Sequence, residues 1–319
     1  MATLRRPLVI AHRGASGYLP EHTLAAKALA FAQGADYLEQ DLVVSRDDEL
    51  IVVHDIHLDR ISDVAVRYPG RSRPDGRFYV RDFTLAELRT LRATERVNEA
   101  GSAVYPERFP PAVGSFELHT LDEELAFVAG LARSTGRVVG IYPELKRPAW
   151  HREQGVDIGK LLFGKLTEFG YRRRDDPVYV QCFDFAELER WRHDFDSELK
   201  LVQLIGDNAW QESPTDFDWA LSEPGLAEIG KIADALGPWI PTLIDPKTSR
   251  PAAWVDSAHR RGLALHPFTV RADDLIVGFD RLRALLEWLV FDARVDGFFT
   301  DFPDIAVDFL DESVFSGRA

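Results

Sequence analysis

The sequence of 319 residues has almost no sulfur, since Cys182 is its single cysteine and Met1 its single methionine. One thiol excludes an intramolecular disulfide and argues against a zinc site built from cysteines. Cys182 lies inside the apolar run of residues 178–183, where a small hydrophobic side chain packs well. We therefore interpret Cys182 as a core residue rather than as a nucleophile.

Long hydrophobic runs are missing too. No apolar stretch approaches the ~20 residues that a membrane-spanning helix needs, so we expect no stable membrane insertion. No export signal precedes the first apolar segment, and from the sequence as it stands we expect a cytoplasmic protein. A mature chain trimmed of its signal would look the same, and such a chain would be periplasmic.

Positive charge is scarce. The chain carries 38 Lys and Arg against 52 Asp and Glu, a formal net charge of −14. Nucleic acids and anionic membranes bind basic faces, so this balance argues against both as partners. A small phosphodiester remains compatible only if the site holds a cation with Arg or Lys nearby, because these groups reverse the local field.

Apolar segments of strand length alternate with helical patterns about eight times, which is typical of the TIM or (β/α)₈ barrel, an α/β fold. We predict one such domain over residues 1–319. The predicted strands are residues 8–11, 37–44, 50–53, 138–142, 178–182, 201–205, 241–244, 264–270 and 297–300. The predicted helices are residues 22–33, 122–135, 155–169, 185–194, 224–236, 251–261, 281–291 and 304–310.

Residues 56–115 interrupt this alternation. The stretch is too long for a barrel connection and contains several Pro and Gly turn signals. We predict a small inserted subdomain after the second barrel strand. Because loops at the carboxyl ends of barrel strands surround the active face, the insertion is expected to form a wall or lid over the site.

Three carboxylates occur near predicted strand ends. Glu39 and Asp41 are two residues apart in one strand, so both side chains point to the same face. Glu144 and Lys146 stand in the same relation at the end of the third barrel strand. Three oxygen ligands favour a hard divalent ion, calcium or magnesium, and the Lys146 ammonium can neutralise a phosphoryl oxygen.

Two histidines bracket the first two carboxylates. His12 and His54 are candidates for general acid and base, because an imidazole exchanges protons near neutral pH. A lone histidine at a strand end is more often a structural group. Arg13 adds a forked donor suited to phosphate oxygens. Asp55 would orient either His54 or a neighbouring main-chain group.

Six motifs, spread over nearly the whole chain, jointly resemble the glycerophosphodiester phosphodiesterases, most closely their bacterial periplasmic-type branch. The motifs are His12-Arg13-Gly14, Pro20-Glu21-His22-Thr23, Glu39-x-Asp41, His54-Asp55, Pro143-Glu144-x-Lys146 and Thr300-Asp301-Phe302-Pro303. The resemblance implies a barrel enzyme that hydrolyses deacylated phospholipids to sn-glycerol 3-phosphate and an alcohol. It also implies that the inserted segment helps to shape the glycerol end of the site.

The resemblance carries roles to particular residues. It implies one divalent cation, Ca²⁺ or Mg²⁺, on Glu39, Asp41 and Glu144, a proton-transfer pair of His12 and His54, and a phosphate clamp of Arg13 and Lys146. Phe183 and Phe268 would line the pocket, although barrel-core packing is an equally good interpretation of both.

Other functions are open to the same residues. The alternative is a phospholipase D or sphingomyelinase-like phosphodiesterase acting on intact lipids, against which the acidic charge weighs. A barrel that binds a phosphorylated ligand without catalysis would not need both histidines together with three ligands. We therefore expect a small glycerophosphodiester as the partner.

Overall fold

The structure, a computed structural model, describes residues 6–315. Its core is a ring of parallel strands, each short and buried, as expected for a sheet covered by helices. The strands are β1 (Leu8–Ala11), β2 (Tyr37–Val44), β3 (Leu50–Val52), β4 (Gly140–Leu145), β5 (Tyr179–Cys182), β6 (Lys200–Ile205), β7 (Ala235–Pro238), β8 (Ala264–Leu265) and β9 (Gly297–Thr300).

Eight of these strands are parallel neighbours in the order β8-β7-β6-β5-β4-β2-β1-β9, and β3 pairs with β2 antiparallel outside the ring. Backbone bonds join its two ends. Asp296 N donates to Leu265 O at 2.9 Å, and Val270 N donates to Phe299 O at 2.8 Å. The predicted eight-stranded barrel is thereby confirmed.

Helices cover the outside of the barrel. They are α1 (Leu24–Ala32), α2 (Val64–Arg67), α3 (Leu85–Leu88), α4 (Leu121–Thr135), α5 (Pro148–Glu153), α6 (Ile158–Glu168), α7 (Phe185–His193), α8 (Phe217–Ala220), α9 (Glu223–Ile232), α10 (Ala253–Arg260), α11 (Leu282–Glu287) and α12 (Pro303–Phe315). Shorter 3₁₀ turns lie at Val80–Asp82, Asn208–Trp210 and Ile240–Leu243, and a π turn lies at Trp288–Asp292. Within residues 6–315, no helix is long and apolar enough to cross a membrane.

Local sequence explains where the longest helix begins and ends. Thr120 and Glu123 form a reciprocal capping box at the start of α4, as their spacing predicts. Gly136 ends α4 with φ 74°, a left-handed conformation that glycine adopts freely. Leu121, Leu125 and Val128 lie one turn apart and are buried, so α4 presents one apolar stripe to the barrel.

The sixth barrel strand differs from the prediction. Of residues 241–244, predicted as a strand, 241–243 fall in the 3₁₀ turn and Ile244 follows it. The strand is instead β7, part of which was assigned to the helix predicted at 224–236. Ile240 and Leu243 are buried three residues apart, which is the spacing of a helical turn. In β7, a Cβ at Gly237 would lie 2.5 Å from the Leu204 side chain, so the close packing favours glycine at this position. Glycine has a low strand propensity, which hides the strand in the sequence.

Residues 56–115 lie between β3 and α4 and contain a second apolar cluster. Its buried members include Ile56, Leu58, Phe83 and Leu88, which pack with Ile51 and neighbouring residues of the β2–β3 hairpin. The chain on either side of the segment is joined, because Val52 N donates to His119 O at 3.0 Å. That this segment is a separate subdomain stays a prediction.

A buried polar network fastens the helical layer to the barrel behind the carboxylates. Lys27 Nζ on α1 lies 2.9 Å from Glu124 Oε1 on α4, and Gln40 Nε2 on β2 donates to the same oxygen at 2.8 Å. His119 Nε2 bonds the other oxygen at 2.8 Å, and Lys27 also donates to the Glu39 carbonyl. Burial raises the pKa of Glu124, but Lys27, His119 and Gln40 outweigh burial and lower it to about 2.

Removing the cation of this network tests its contribution. Lys27→Met leaves the Glu124 carboxylate buried without its ammonium partner, so we expect the free energy of unfolding to fall by about 3–5 kcal/mol. The control is Lys165→Met, which breaks the partly exposed pair with Asp122 on the same helix α4 and should change stability by less than about 1 kcal/mol. Urea unfolding measures both, and equal losses would contradict the assignment.

Candidate active site

A cavity of about 380 Å³ opens at the carboxyl ends of the barrel strands. All the residues predicted to bind the metal or the substrate or to transfer protons contribute to its lining, although they come from points far apart in the chain. They are His12, Arg13, Glu39, Asp41, His54, Glu144, Lys146, Phe183 and Phe268. The structure therefore brings the whole predicted set to one mouth of the barrel.

The turn after β1 aims two of these side chains. Arg13 has φ 60° and Gly14 has φ 89°, so the chain turns sharply as soon as the strand ends. A Cβ at Gly14 would lie 2.8 Å from the backbone carbon of Ala26, which explains why glycine occupies this position. Arg13 N donates to Glu39 Oε2 at 2.6 Å, and this bond helps to hold the left-handed residue.

Strand register brings the carboxylates together. Asp41 on β2 is the direct neighbour of Glu144 on β4, and Glu39 precedes Asp41 by two residues on the same face. All three side chains are buried. His22 joins them, with Nε2 2.7 Å from Asp41 Oδ2. Ligand atoms of His22, Glu39 and Asp41 lie within 4.8 Å of one another, close enough to hold one ion.

The electrostatics of this cluster fit a bound cation. Burial and the neighbouring Asp41 charge raise the pKa of Glu39 well above its usual value. Burial likewise raises the pKa of Glu144. The positive charge of Lys146 opposes this shift, and the negative charge of Asp41 adds to it. Buried carboxylates that repel one another are stabilised by a positive ion, and oxygen donors of this kind suit a hard divalent metal.

His12 is held by a carboxylate from the last strand. Its Nδ1 lies 2.6 Å from Oδ1 of the buried Asp301, which follows β9. Burial and the charge of Arg13 lower the pKa of His12 to about 4, against the opposing effect of Asp301. Burial raises the pKa of Asp301, but Arg271, His12 and Arg108 outweigh it and hold that pKa well below its usual value. Asp301 is therefore ionised, and the ring nitrogen is the donor.

His54 has a matching partner beside it in the chain. Its Nδ1 lies 2.6 Å from Asp55 Oδ1, which is one of the two arrangements expected from the sequence. Burial, Arg13 and Lys146 lower the pKa of His54, while Asp55 opposes them. Neither His12 nor His54 has a hydrogen bond from Nε2 to any of residues 6–315, so each ring keeps one nitrogen available to the cavity.

The two cationic side chains are anchored by acidic neighbours. Arg13 Nη1 donates to Glu21 at 3.0 Å, and its Nε is buried without a hydrogen-bond partner among the described residues. Lys146 Nζ donates to Glu144 at 2.6 Å and lies 3.6 Å from Glu212. Burial lowers the pKa of Lys146, but these carboxylates and Asp41 outweigh burial and raise it, so the ammonium stays charged.

Aromatic rings form the other wall of the cavity. Phe183 and Phe268 meet edge to face with centroids 5.9 Å apart, and Trp210 and Trp239 meet similarly at 5.0 Å. Lys146 Nζ lies 5.6 Å from the centre of the Phe183 ring. Phe183 and Phe268 are both partly buried and both face the cavity, so lining the pocket and packing in the core are not exclusive.

Sequence reasoning missed several contributors to the site, among them His22, Asp301, Arg96 and Arg108. His22 and Asp301 belong to two of the motifs on which the resemblance rests, so their membership of these motifs could have identified them as site residues. Arg96 and Arg108 belong to residues 56–115 and reach the barrel mouth from there, bonding Asp55 and Asp301 respectively. No periodicity or spacing marks these two arginines, because their partners are distant in sequence.

Comparison with known proteins agrees with this geometry. The model of the glycerophosphoryl diester phosphodiesterase family matches residues 12–305, which is most of the chain. The chain belongs to this family. The match begins at His12 and includes every residue placed in the cavity above.

Two curated members of this family of phosphodiesterases are similar over almost their full length. A Haemophilus influenzae protein named glycerophosphodiester phosphodiesterase is 43% identical, with 95% of this chain and 89% of that protein covered. A Treponema pallidum protein of the same name is 39% identical, with 95% and 91% covered. These two relatives and the family model therefore agree on the family.

Among solved structures, an Oleispira antarctica phosphodiesterase in complex with the product sn-glycerol-3-phosphate has a similar fold. Its TM-score is 0.63 at 20% identity, with 96% of this chain and 97% of that chain covered. At this level of identity the likeness concerns the fold, which agrees with the barrel described above.

Removing the imidazole beside Asp41 tests the cation site. His22→Ala deletes a partner 2.7 Å from Asp41, so we expect the affinity of the protein for Ca²⁺ or Mg²⁺ to fall about 10–100-fold, as for other groups that orient metal ligands. Calorimetric titration with each ion measures it. His259→Ala, which alters a partly exposed ring 3.7 Å from Asp296, is the control, and unchanged affinity in His22→Ala would contradict the site.

Proposed function

We propose that the protein hydrolyses glycerophosphodiesters to sn-glycerol 3-phosphate and an alcohol. The observation that carries this proposal is the convergence of three carboxylates, two imidazoles and two cationic side chains on one cavity at the barrel mouth. The family match supports the same reaction. A phosphodiester is anionic, so hydrolysis requires charge neutralisation together with proton transfer, and this cavity contains groups for both.

The cation site supplies part of that neutralisation. We assign the cation to Glu39, Asp41 and Glu144, with Ca²⁺ or Mg²⁺ as the ion because the donors are carboxylate oxygens. When bound, the ion withdraws charge from a phosphoryl oxygen as a Lewis acid. The repulsion among the buried carboxylates, seen in the raised pKa values of Glu39 and Glu144, supports this assignment.

Arg13 and Lys146 bind the phosphate on the protein side. Arg13 Nε lies 3.5 Å from Asp41 Oδ2 and has no hydrogen-bond partner among the described residues, so this donor is available to a phosphate oxygen. Lys146 keeps its charge because Glu144 and Glu212 are near its ammonium group. Two fixed cations next to the carboxylates hold the phosphodiester with its scissile bond beside the imidazoles.

His12 and His54 transfer the protons. With its pKa lowered to about 4, His12 is neutral at pH 7 and can accept a proton at Nε2, so we assign it as the base. His54 is the acid that protonates the leaving alcohol, and the negative charge of a bound phosphodiester favours its protonated form. The nucleophile is either water or the adjacent glycerol hydroxyl, the second route passing through a cyclic phosphate.

Residues 56–115 are assigned to an inserted subdomain that shapes the glycerol end. Arg96, Val104, Tyr105 and Arg108 from this segment line a second pocket of about 200 Å³ with both histidines, which supports the assignment. Phe183 and Phe268 are assigned to the opposite wall. The periplasmic-type branch and the cellular compartment stay predictions from sequence.

The two histidines can be tested directly. His12→Ala and His54→Ala should each lower turnover of glycerophosphocholine by a factor of about 10² or more, because each removes a proton-transfer group. Release of glycerol 3-phosphate in a coupled assay measures turnover. His193→Ala, an exposed ring at the end of α7, should retain full activity. Near-normal turnover of either site variant would refute the assignment.

Metal removal and substrate choice separate the proposal from its alternative. A chelator should abolish glycerol 3-phosphate release, and re-addition of Ca²⁺ or Mg²⁺ should restore it, because the buried carboxylates require the ion. A panel of glycerophosphodiesters and intact phosphatidylcholine is compared in the same assay series. Hydrolysis of the intact lipid alone would overturn the proposal in favour of a lipid phosphodiesterase.

A further inference from the structure

We propose that Arg96 and Arg108 are positioning residues that fix the two histidines of the site through the carboxylates of Asp55 and Asp301. This assignment rests on the proposed function, because it concerns the orientation of its proton-transfer pair. It gives residues 56–115 a part in the reaction itself, beyond that of a wall next to the substrate.

The first contact chain runs from Arg108 to His12. Arg108 Nη2 donates to Asp301 Oδ2 at 2.7 Å, and the other oxygen of Asp301 accepts from His12 Nδ1 at 2.6 Å. The Arg108 side chain is only 5% exposed. A two-point bond to Asp273, at 2.7 and 3.0 Å, holds its guanidinium in plane, and Arg271 adds a bond to Asp301 at 2.9 Å.

The second chain repeats this arrangement at His54. Arg96 Nη1 donates to Asp55 Oδ2 at 2.7 Å, and Asp55 Oδ1 accepts from His54 Nδ1 at 2.6 Å. Glu21 anchors the rest of the guanidinium, with bonds of 2.6 Å to Nη2 and 3.0 Å to Nε. Glu21 also accepts from Arg13 at 3.0 Å, so the same cluster holds the proposed phosphate donor.

The two chains share one geometry although they are unrelated in sequence. In both, one carboxylate oxygen takes the imidazole and the other takes an arginine, so the carboxylate cannot rotate without breaking a charged hydrogen bond. A fixed carboxylate sets the ring orientation and the nitrogen that carries the proton, and it leaves Nε2 towards the cavity. Both arginines come from residues 56–115, whereas both carboxylates follow strands of the barrel sheet.

Loss of either arginine should slow the reaction more than it weakens substrate binding. For Arg96→Gln and Arg108→Gln we expect kcat to fall about 10–100-fold, as when other groups that orient reacting side chains are removed. KM should change by a smaller factor than kcat, since Arg13, Lys146 and the cation site remain, although both arginines also line the pocket assigned to the glycerol end. Arg96→Gln should have the larger effect, because Asp301 keeps Arg271 whereas Asp55 has no second arginine among the described residues.

Arg81→Gln is the matched control. Arg81 belongs to the same segment, its side chain is 16% exposed against 15% for Arg96, and it bonds Asp48 outside the segment at 2.7 Å. Arg81 has no hydrogen bond to His12, His54, Asp55 or Asp301. Arg96→Lys and Arg108→Lys are conservative variants, and added guanidinium ion should partly restore kcat in Arg96→Ala and Arg108→Ala. Thermal unfolding of every variant identifies any that fail to fold.

Nitrogen-15 spectra of the histidine rings provide a readout that needs no turnover. In the wild-type protein His12 and His54, assigned with His12→Gln and His54→Gln, should each show a single tautomer protonated at Nδ1. Arg108→Gln should disturb the His12 signals alone and Arg96→Gln the His54 signals alone, while Arg81→Gln should disturb neither.

The outcomes separate this inference from the proposed function. If the wild type hydrolyses glycerophosphodiesters but Arg96→Gln and Arg108→Gln match Arg81→Gln in kcat and in ring spectra, the positioning role is wrong and the reaction stands. If the wild type hydrolyses none of the panel while the spectra change as expected, the positioning role stands and the reaction is wrong.

Discussion

The register between β2 and β4 is the constraint on which the site depends. It places Asp41 directly beside Glu144, with Glu39 one pleat away, and all three side chains are buried. Charges of one sign in such surroundings repel strongly. Two positive groups offset that repulsion: Lys146 beside Glu144 at the end of β4, and Arg13 in the tight turn after β1. Burial lowers the pKa of His22 to about 3, so this ring is neutral at pH 7 and contributes a hydrogen bond to Asp41.

The same constraint reconciles an acidic protein with an anionic substrate class. A net charge of −14 repels phosphodiesters at long range, yet the field inside the cavity is set by a few groups at short distance. Arg13 and Lys146 remain ionised because they are surrounded by carboxylates. The acidity of the cluster thus keeps charged the two side chains proposed to bind phosphate.

Much of this arrangement could be predicted from the sequence, because period-two alternation and the meeting of parallel strands at their carboxyl ends are local rules. They place Glu39 and Asp41 on one face and bring Glu144 to it. The sixth barrel strand was missed since β7 is short and contains Gly237 and Pro238 instead of β-branched residues. Arg96 and Arg108 could not be found, because their contacts with Asp55 and Asp301 depend on how a whole segment packs against the barrel.

The hydrogen bond between Val52 and His119, which flank residues 56–115, has an evolutionary consequence. A stretch that leaves and re-enters the barrel at one point can lengthen, shorten or be exchanged at little entropic cost to the fold, since loop closure depends only weakly on length. Such a stretch would ordinarily diverge quickly. Here two of its arginines reach the carboxylates beside the histidines, so the proposed positioning role would constrain these two positions while the length of the segment stays free to change.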